Sequence, residues 1–395
     1  WCEKRNDMRI LFVMYNMEIG GTRKSLLNLL SYLEKYEVEV DLLLFSPFGI
    51  FMNEIPEYVN IIKGNLAMQS VFCFKQTLYN EKRYDLIAIR GILKVLKKIN
   101  GENKIYKKIL LSYAERKIDS KKYNAVVGFQ EGMCAFFTTF TDISLKICWI
   151  HNNAENLAKN VLGKEEDYGK IDHILFVAER SKNSFVKKFP LLSKKTAVIK
   201  NVLPQENILR AGNEKCREAE MLFKDKNTLN IVSVGRISKQ KAFERIIEVV
   251  PKLSRKVNWV IIGDGEDYNL LVSKVKDLKL DKVIHFIGSR KNPFSYVKNA
   301  DVYVLTSLYE SQPMVIMEAL TLGIPVISTN FASATEMLSG VKYGMICENS
   351  SSGILNAIEE ITTERLKEMK AATQEFIYDN DYIIRQIMEL IEAKS

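Results

Sequence analysis

Short apolar runs alternate with amphipathic runs twice along this chain, and that alternation restricts the folds open to it. Runs at 9–15, 38–45, 125–128, 146–150 and 174–177 read as buried strands, with 22–36 as a helix between the first two. A second series starts at 230–234, passes through a helix after Lys241, and continues at 259–262, 283–287, 302–305 and 326–328. Strands alternating with helices require parallel sheets covered on both faces. The 395 residues suffice for two such domains. Between the two series, the polar and charged stretch 205–227 reads as the junction. No short repeat or low-complexity tract is present, and the halves share architecture and not sequence.

Composition excludes several classes. Hydrophobic residues are 47% and charged residues 27%, which is globular and not disordered. The six cysteines form no CxxC pair and read as buried free thiols of a reducing compartment. His151, His173 and His285 are too dispersed for a histidine-rich metal site. No apolar run is long enough to cross a bilayer, and residues 9–15 are too short for a signal peptide. Residues 1–7, ahead of Met8, read as either an added remnant or an ordered leader. The net charge of +9 favours acidic partners: nucleotide phosphates, anionic lipid or nucleic acid.

The richest window runs from the strand at 302–305 to Pro325. Glu310 falls on the loop at the carboxyl end of that strand, the edge where open α/β sheets bind ligands. Pro313 suits the first helical turn, and Gly323 with Pro325 suits the helix end. Glu318 then lies roughly 7 Å down the helix, at 1.5 Å per residue. The helix start adds unpaired backbone N–H groups and a positive dipole end. Two acids beside an anion-binding helix end suit a ligand with both hydroxyls and phosphates, such as a nucleotide sugar.

This window resembles the Glu-seven-Glu motif of retaining family 4 glycosyltransferases, of the bacterial surface-polysaccharide type. The resemblance extends to Gly20-Gly21, Trp149-Ile150-His151-Asn152, Val234-Gly235-Arg236 with Lys241, and Gly263-Asp264-Gly265. Each motif is weak alone; their order along the chain gives them weight. The resemblance implies an α/β, GT-B fold: two Rossmann-like domains with parallel sheets facing across a cleft. The domains are expected at 1–205, binding the acceptor, and 206–375, binding the nucleotide sugar. A helix at 376–395 is expected to cross back to the amino-terminal domain.

The resemblance also implies roles. Glu318 holds the donor ribose, as a carboxylate can accept two hydrogen bonds from a vicinal diol. Glu310 and the backbone of Ser311, Gln312, Pro313 and Met314 meet the donor sugar and phosphate. Arg236 and Lys241 hold the departing diphosphate, whose charge grows in the transition state. Alanine follows that lysine where the family has glycine, so a slightly different loop is expected at Ala242. Gly20 and Gly21 let backbone approach an anion, and Ile287 and Gly288 cradle the base. His151 orients the sugar, while Glu131 and Asn152 help hold the acceptor. No metal and no cofactor is expected; the nucleotide diphosphate sugar is the substrate.

Each residue also has a plainer reading. Glu318 could be a solvated helix acid, although its neighbours Met317, Ala319 and Leu320 look buried. Glu310 could be a dipole-complementing loop acid, Arg236 and Lys241 two surface cations among many, and Gly20-Gly21 an ordinary turn. A lone histidine is more often a core residue, but Asn152 and Asn153 after His151 suggest a polar cleft. Gly20 to Ser25 lacks the glycine spacing of a P-loop, and no GxGxxG fingerprint follows the first strand.

The stretch from Arg90 to Lys122 is basic. Ile92, Leu96 and Ile99 share one helical face and Lys94, Lys97 and Lys98 another; Lys104 and Lys107 follow. Such a helix either rests on an anionic membrane or is a solvated face. No nucleic-acid motif accompanies the charge. The reading is a cytoplasmic, retaining, metal-independent glycosyltransferase, in part at the inner face of the plasma membrane. Its acceptor is a saccharide or lipid-linked saccharide of capsule or exopolysaccharide biosynthesis. The alternatives are a non-catalytic sugar-binding or partner-stabilising protein of the same fold and a nucleotide-sugar epimerase.

Overall fold

The computed structural model describes residues 8–18, 20–100, 102–152, 162–225 and 227–394, without the side chains of 97–100, 102–104 and 106. The readings at residues 1–7, at Asn153, and at the side chains of Lys97, Lys98, Ile99 and Lys104 lie outside the described residues. The chain divides into two compact units, Trp1–Val202 with Asp379–Ser395, and Leu203–Tyr378.

The first unit is a seven-stranded parallel sheet. Its strands are β1 (Arg9–Met14), β2 (Glu39–Leu44), β3 (Asn60–Lys63), β4 (Ala125–Gly128), β5 (Leu145–Ile150), β6 (His173–Phe176) and β7 (Thr196–Val198), in the order β3-β2-β1-β4-β5-β6-β7. The winding reverses between β1 and β4. Val13 pairs with Gly128 there, and Gly128 with Cys148, so the carboxyl ends of β1, β4 and β5 line up on one edge. The helix Asn380–Glu392 belongs to this unit: Asn380 donates to Tyr32 Oη at 2.9 Å, and Tyr36 Oη to Asp381 at 2.8 Å.

The second unit has six parallel strands: β8 (Leu229–Val234), β9 (Val257–Ile262), β10 (Ile284–Phe286), β11 (Val302–Leu305), β12 (Val326–Thr329) and β13 (Gly344–Cys347). Their order is β10-β9-β8-β11-β12-β13, with the reversal between β8 and β11. Alternation along β8 shows why both faces are covered. Ile231 packs with Trp259 and Ile261 on one face, while Val232 packs with Val260 and Ile262 on the other. Each such side chain, fully buried, contributes about 1.5–3 kcal/mol.

The stretch 205–227, read as the junction, carries two helices. It contains the helices Gln205–Gly212 and Arg217–Leu222, whose Ile208 and Ala219, with Phe223, join the core of the second unit. The division between units falls instead at Val202–Leu203. The polar composition reflects the outer faces of these short helices; three buried apolar residues suffice to seat them.

Candidate active site

Site residues of the second unit gather where its winding reverses. Gly235 and Arg236 follow β8, and Glu310 follows β11 five residues on. The two loops are joined directly: Leu308 N–H donates to Gln240 O at 2.9 Å, Gln240 Nε2 to Tyr309 O at 2.9 Å, and Thr306 Oγ1 to Lys241 O at 2.6 Å. Lys241 Nζ thereby meets Glu310 Oε1 at 2.5 Å. Arg236 is exposed on the same loop. An ammonium and a guanidinium on one βα loop can neutralise a diphosphate.

Three glycines make this packing feasible. A Cβ on Gly235 would lie 3.1 Å from Lys241 Cε, so the lysine stem crosses over that residue. Gly263, at φ +150°, brings its backbone against the Gly235 carbonyl; a Cβ there would lie 1.9 Å from the oxygen. Gly265 is similarly tight against Ile237 O, at 2.3 Å. Ala242 has φ +52° and is fully buried. The loop expected to differ here instead holds alanine in the left-handed region that favours glycine, which costs roughly 1–2 kcal/mol for an L-residue.

The helix after Glu310 spans Met314–Thr321, and Pro313 is its N-cap and not its first helical residue. The displacement has a local cause: Pro313 has ψ 86°, outside the helical region, and Ile316 N–H closes the first turn onto its carbonyl at 3.0 Å. Gly323 follows the helix at φ +75° and donates to Leu320 O. Glu318 is half-buried on the helix. Glu318 and Glu310 both act on Tyr303: burial first, then these two carboxylates, hold its phenol well above the usual tyrosine range. Tyr303 Oη bonds Val234 O at 2.9 Å, which ties the acids' neighbourhood to the end of β8. Gln312 Nε2 donates to Tyr378 Oη at 3.3 Å. Ile287 and Gly288 follow β10; Gly288 has φ +74°, and its carbonyl accepts from Gly263 N–H at 3.1 Å.

The first unit places its residues at its own reversal, after β1, β4 and β5. Gly20 is the N-cap of the helix Gly21–Leu33, which has no acidic residue in its first turn. Gly20 also makes room for Arg23, whose Nη1 a Cβ would approach to 3.3 Å. Arg23 Nη2 donates to Asn16 at 3.1 Å, and its Nε is buried without a partner. Glu131 is 3% exposed. Its Oε2 accepts from His151 N–H at 3.2 Å and its Oε1 from Asn152 Nδ2 at 2.5 Å. The expected acceptor-holding role therefore does not fit Glu131: the enclosed carboxylate braces the His151-Asn152 segment.

His151 does not line an open polar cleft with its whole ring. It is 7% exposed, 4.7 Å from the Phe129 ring and stacked on Trp149. Its Nε2 is buried without a partner. Burial, and then the Arg23 charge, lower its pKa to about 3, so the imidazole is neutral near pH 7. A histidine in the unfolded chain titrates near 6.5. Below that pH the unfolded state takes up a proton that the folded state refuses. The stability this group contributes is complete above about pH 6.5 and is lost as pH falls toward 3. Between pH 7 and 5 the wild type should lose about 2 kcal/mol more than His151→Gln, read from denaturant melts at both pH values. Equal losses would contradict the buried neutral state.

Spacing in the sequence missed Arg23, Ser307 and Ser333. Ser307 and Ser333 support Glu310 as donors: Ser307 Oγ donates to Oε1 at 2.7 Å and Ser333 Oγ to the Glu310 carbonyl at 2.8 Å. The available signal was Thr306-Ser307, polar residues directly after an apolar strand.

Residues 215–377 match the family model of glycosyl transferases group 1. An uncharacterized glycosyltransferase of Methanocaldococcus jannaschii is 29% identical over 199 residues, 47% of this chain and 48% of that protein. The Campylobacter jejuni N-acetylgalactosamine-N,N'-diacetylbacillosaminyl-diphospho-undecaprenol 4-alpha-N-acetylgalactosaminyltransferase is 26% identical over 230 residues, 57% of this chain and 61% of its own. The chain thus spans about half to three fifths of these curated relatives. Among solved structures, Anabaena HepE in complex with UDP and glucose superposes with a TM-score of 0.72 at 16% identity, covering 98% of this chain and 100% of that one. Staphylococcus aureus TarM gives 0.69 at 15% identity, covering 97% and 99%. The two units together have the GT-B fold.

Proposed function

We propose that the chain transfers a sugar from a nucleotide diphosphate donor to an acceptor hydroxyl, with retention of configuration and without a metal. The observation that carries this reading is the meeting of Lys241 and Glu310 at the sheet's switch point, with Arg236 on the same loop. In the transfer, the bond from the anomeric carbon to the diphosphate oxygen breaks. The acceptor oxygen bonds that carbon on the same face, and its proton passes to the departing diphosphate. Lys241 and Arg236 stabilise the charge that accumulates there. Glu318 holds the ribose hydroxyls, while backbone from Ser311 to Met314 and at Ile287-Gly288 meets the phosphate, sugar and base. In the first unit, Gly20 and Gly21 open a helix start to an anion. There His151, buried beside Asn152, orients the sugar, and Asn152 offers a hydrogen bond to the acceptor.

Glu318→Ala should raise the donor KM about 10- to 100-fold, the loss of charge-assisted bonds worth about 1.5–3 kcal/mol, with a smaller change in kcat. An unchanged KM would remove Glu318 from the donor site. The product's anomeric linkage, read by NMR after transfer to a synthetic lipid-linked saccharide, tests retention; an inverted linkage defeats it.

The acceptor in this reaction is lipid-linked, at the inner membrane face, and the protein contacts that membrane. Ile92 and Val95 are 63% and 60% exposed on the helix Tyr84–Asn100, with Leu96 beside them and Lys94 on the flank. Not every basic residue contributes. Arg90 turns inward to the Ser70, Val71 and Cys73 carbonyls, and Lys107 pairs with Asp167 at 3.0 Å. The protein should co-sediment with phosphatidylglycerol vesicles and not with phosphatidylcholine, and Ile92→Ser with Val95→Ser should abolish it. Equal partition onto both lipids would contradict a charge-guided contact.

A further inference from the structure

Glu310 divides its two oxygens between different tasks. Lys241 Nζ and Ser307 Oγ both approach Oε1, at 2.5 and 2.7 Å. Oε2 accepts no bond among the described residues and is left for a donor from substrate. The pair is sheltered, with side chains 15% and 13% exposed. Its surroundings are fixed: Ser333 holds the Glu310 carbonyl, Thr329 holds the Ser307 carbonyl at 2.6 Å, and Thr306 holds the Lys241 carbonyl. A lysine ammonium is a point charge on a flexible four-carbon stem. Crossing Gly235 confines one side of that stem, and the carboxylate fixes its end.

We propose that Glu310 is the positioning residue of Lys241 and that its charge weakens the hold on the diphosphate product. This rests on the reading that Lys241 takes the leaving diphosphate. A sugar-linked diphosphate has no terminal phosphate monoester; the free nucleoside diphosphate has one, with a second ionisation near pH 6. At pH 7.5 the product therefore carries more negative charge than the donor. A fixed carboxylate within bonding distance of Lys241 opposes the product more than the donor. The same group that aims the ammonium for bond breaking thus favours release afterwards.

Calorimetric titration of UDP, GDP and ADP and of their sugars, at pH 7.5, tests this. Glu310→Gln should bind the preferred diphosphate roughly tenfold more tightly, with no comparable tightening for its sugar, while turnover falls. With Lys241→Met in place, Glu310→Gln should cause no further fall in turnover. Glu310→Asp keeps the charge and shortens the reach, so it should lose turnover without tightening product. A purely structural role for Glu310 would move the melting temperature and leave the product-to-donor affinity ratio unchanged. That unchanged ratio in folded Glu310→Gln, or tightening in Glu310→Asp, overturns the proposal. Failure of the wild type to bind any of these nucleotides removes the glycosyl-transfer reading, and this proposal with it.

Discussion

Lys241→Ala is expected to lower kcat by about 10²–10³-fold, the usual consequence of deleting one fixed group that stabilises charge formed in the transition state. The donor KM should change far less. The lysine is placed for such an effect by both loops at once. Its carbonyl is held by Thr306, its stem crosses Gly235 and its ammonium meets Glu310. A cation so fixed needs little reorganisation when a diphosphate begins to depart. Steady-state assays of nucleotide release give the split. Loss appearing only in KM would mean that Lys241 binds donor and transition state alike. A wild-type kcat would remove it from the chemistry. Arg236 is exposed, so its removal should cost less than that of Lys241.

Gly263→Ala is expected to produce the largest loss of stability, about 3–5 kcal/mol. Two independent obstacles meet there. The residue has φ +150°, where L side chains are strained, and its Cβ would lie 1.9 Å from a backbone carbonyl that cannot rotate away. That carbonyl belongs to Gly235, so relief must displace the end of β8, and with it Arg236 and Lys241. For a unit of this size the change corresponds to a fall of about 6–20 °C in the melting temperature. Gly340→Ala is the comparison: φ is +74°, but no atom lies within 4 Å of its Cβ. It should lose only about 1–2 kcal/mol. Similar melting temperatures for the two variants would show that the close approach at Gly263 is not as described.

Much of the architecture was legible because buried strands leave apolar runs. β1 is buried from Ile10 to Met14, and β8, β9 and β11 are nearly as enclosed. β3 and β7 escaped because they are sheet edges; their residues are half-buried or exposed, and no apolar run marks them. β13 was also missed; its ends are buried, and an edge position does not account for it, since the edge strand β10 was read at 283–287. At the site, the loop and helix carrying Glu310 and Glu318 could be read from Pro313 and Gly323, which punctuate the chain locally. The Lys241–Glu310 pair could not, because the partners are 69 positions apart and spacing says nothing about loops that meet across a sheet's switch point. The burial of Glu131 was hidden for a related reason. A glutamate beside glycine looks solvent-facing until the His151 N–H and the Asn152 amide close on it. Ala242 shows the converse: its left-handed backbone is dictated by the tertiary site and contradicts the residue's own preference.

The proposed reaction cleaves a sugar from a nucleotide diphosphate, with Lys241 of the second unit stabilising the leaving group. Release of free nucleotide by the purified chain, followed across a panel of nucleotide sugars with and without lipid-linked acceptor, tests it most directly. Release is expected from at least one donor, faster with acceptor and reduced about 10²–10³-fold in Lys241→Ala. No release from any donor, or equal release by the variant, would contradict it.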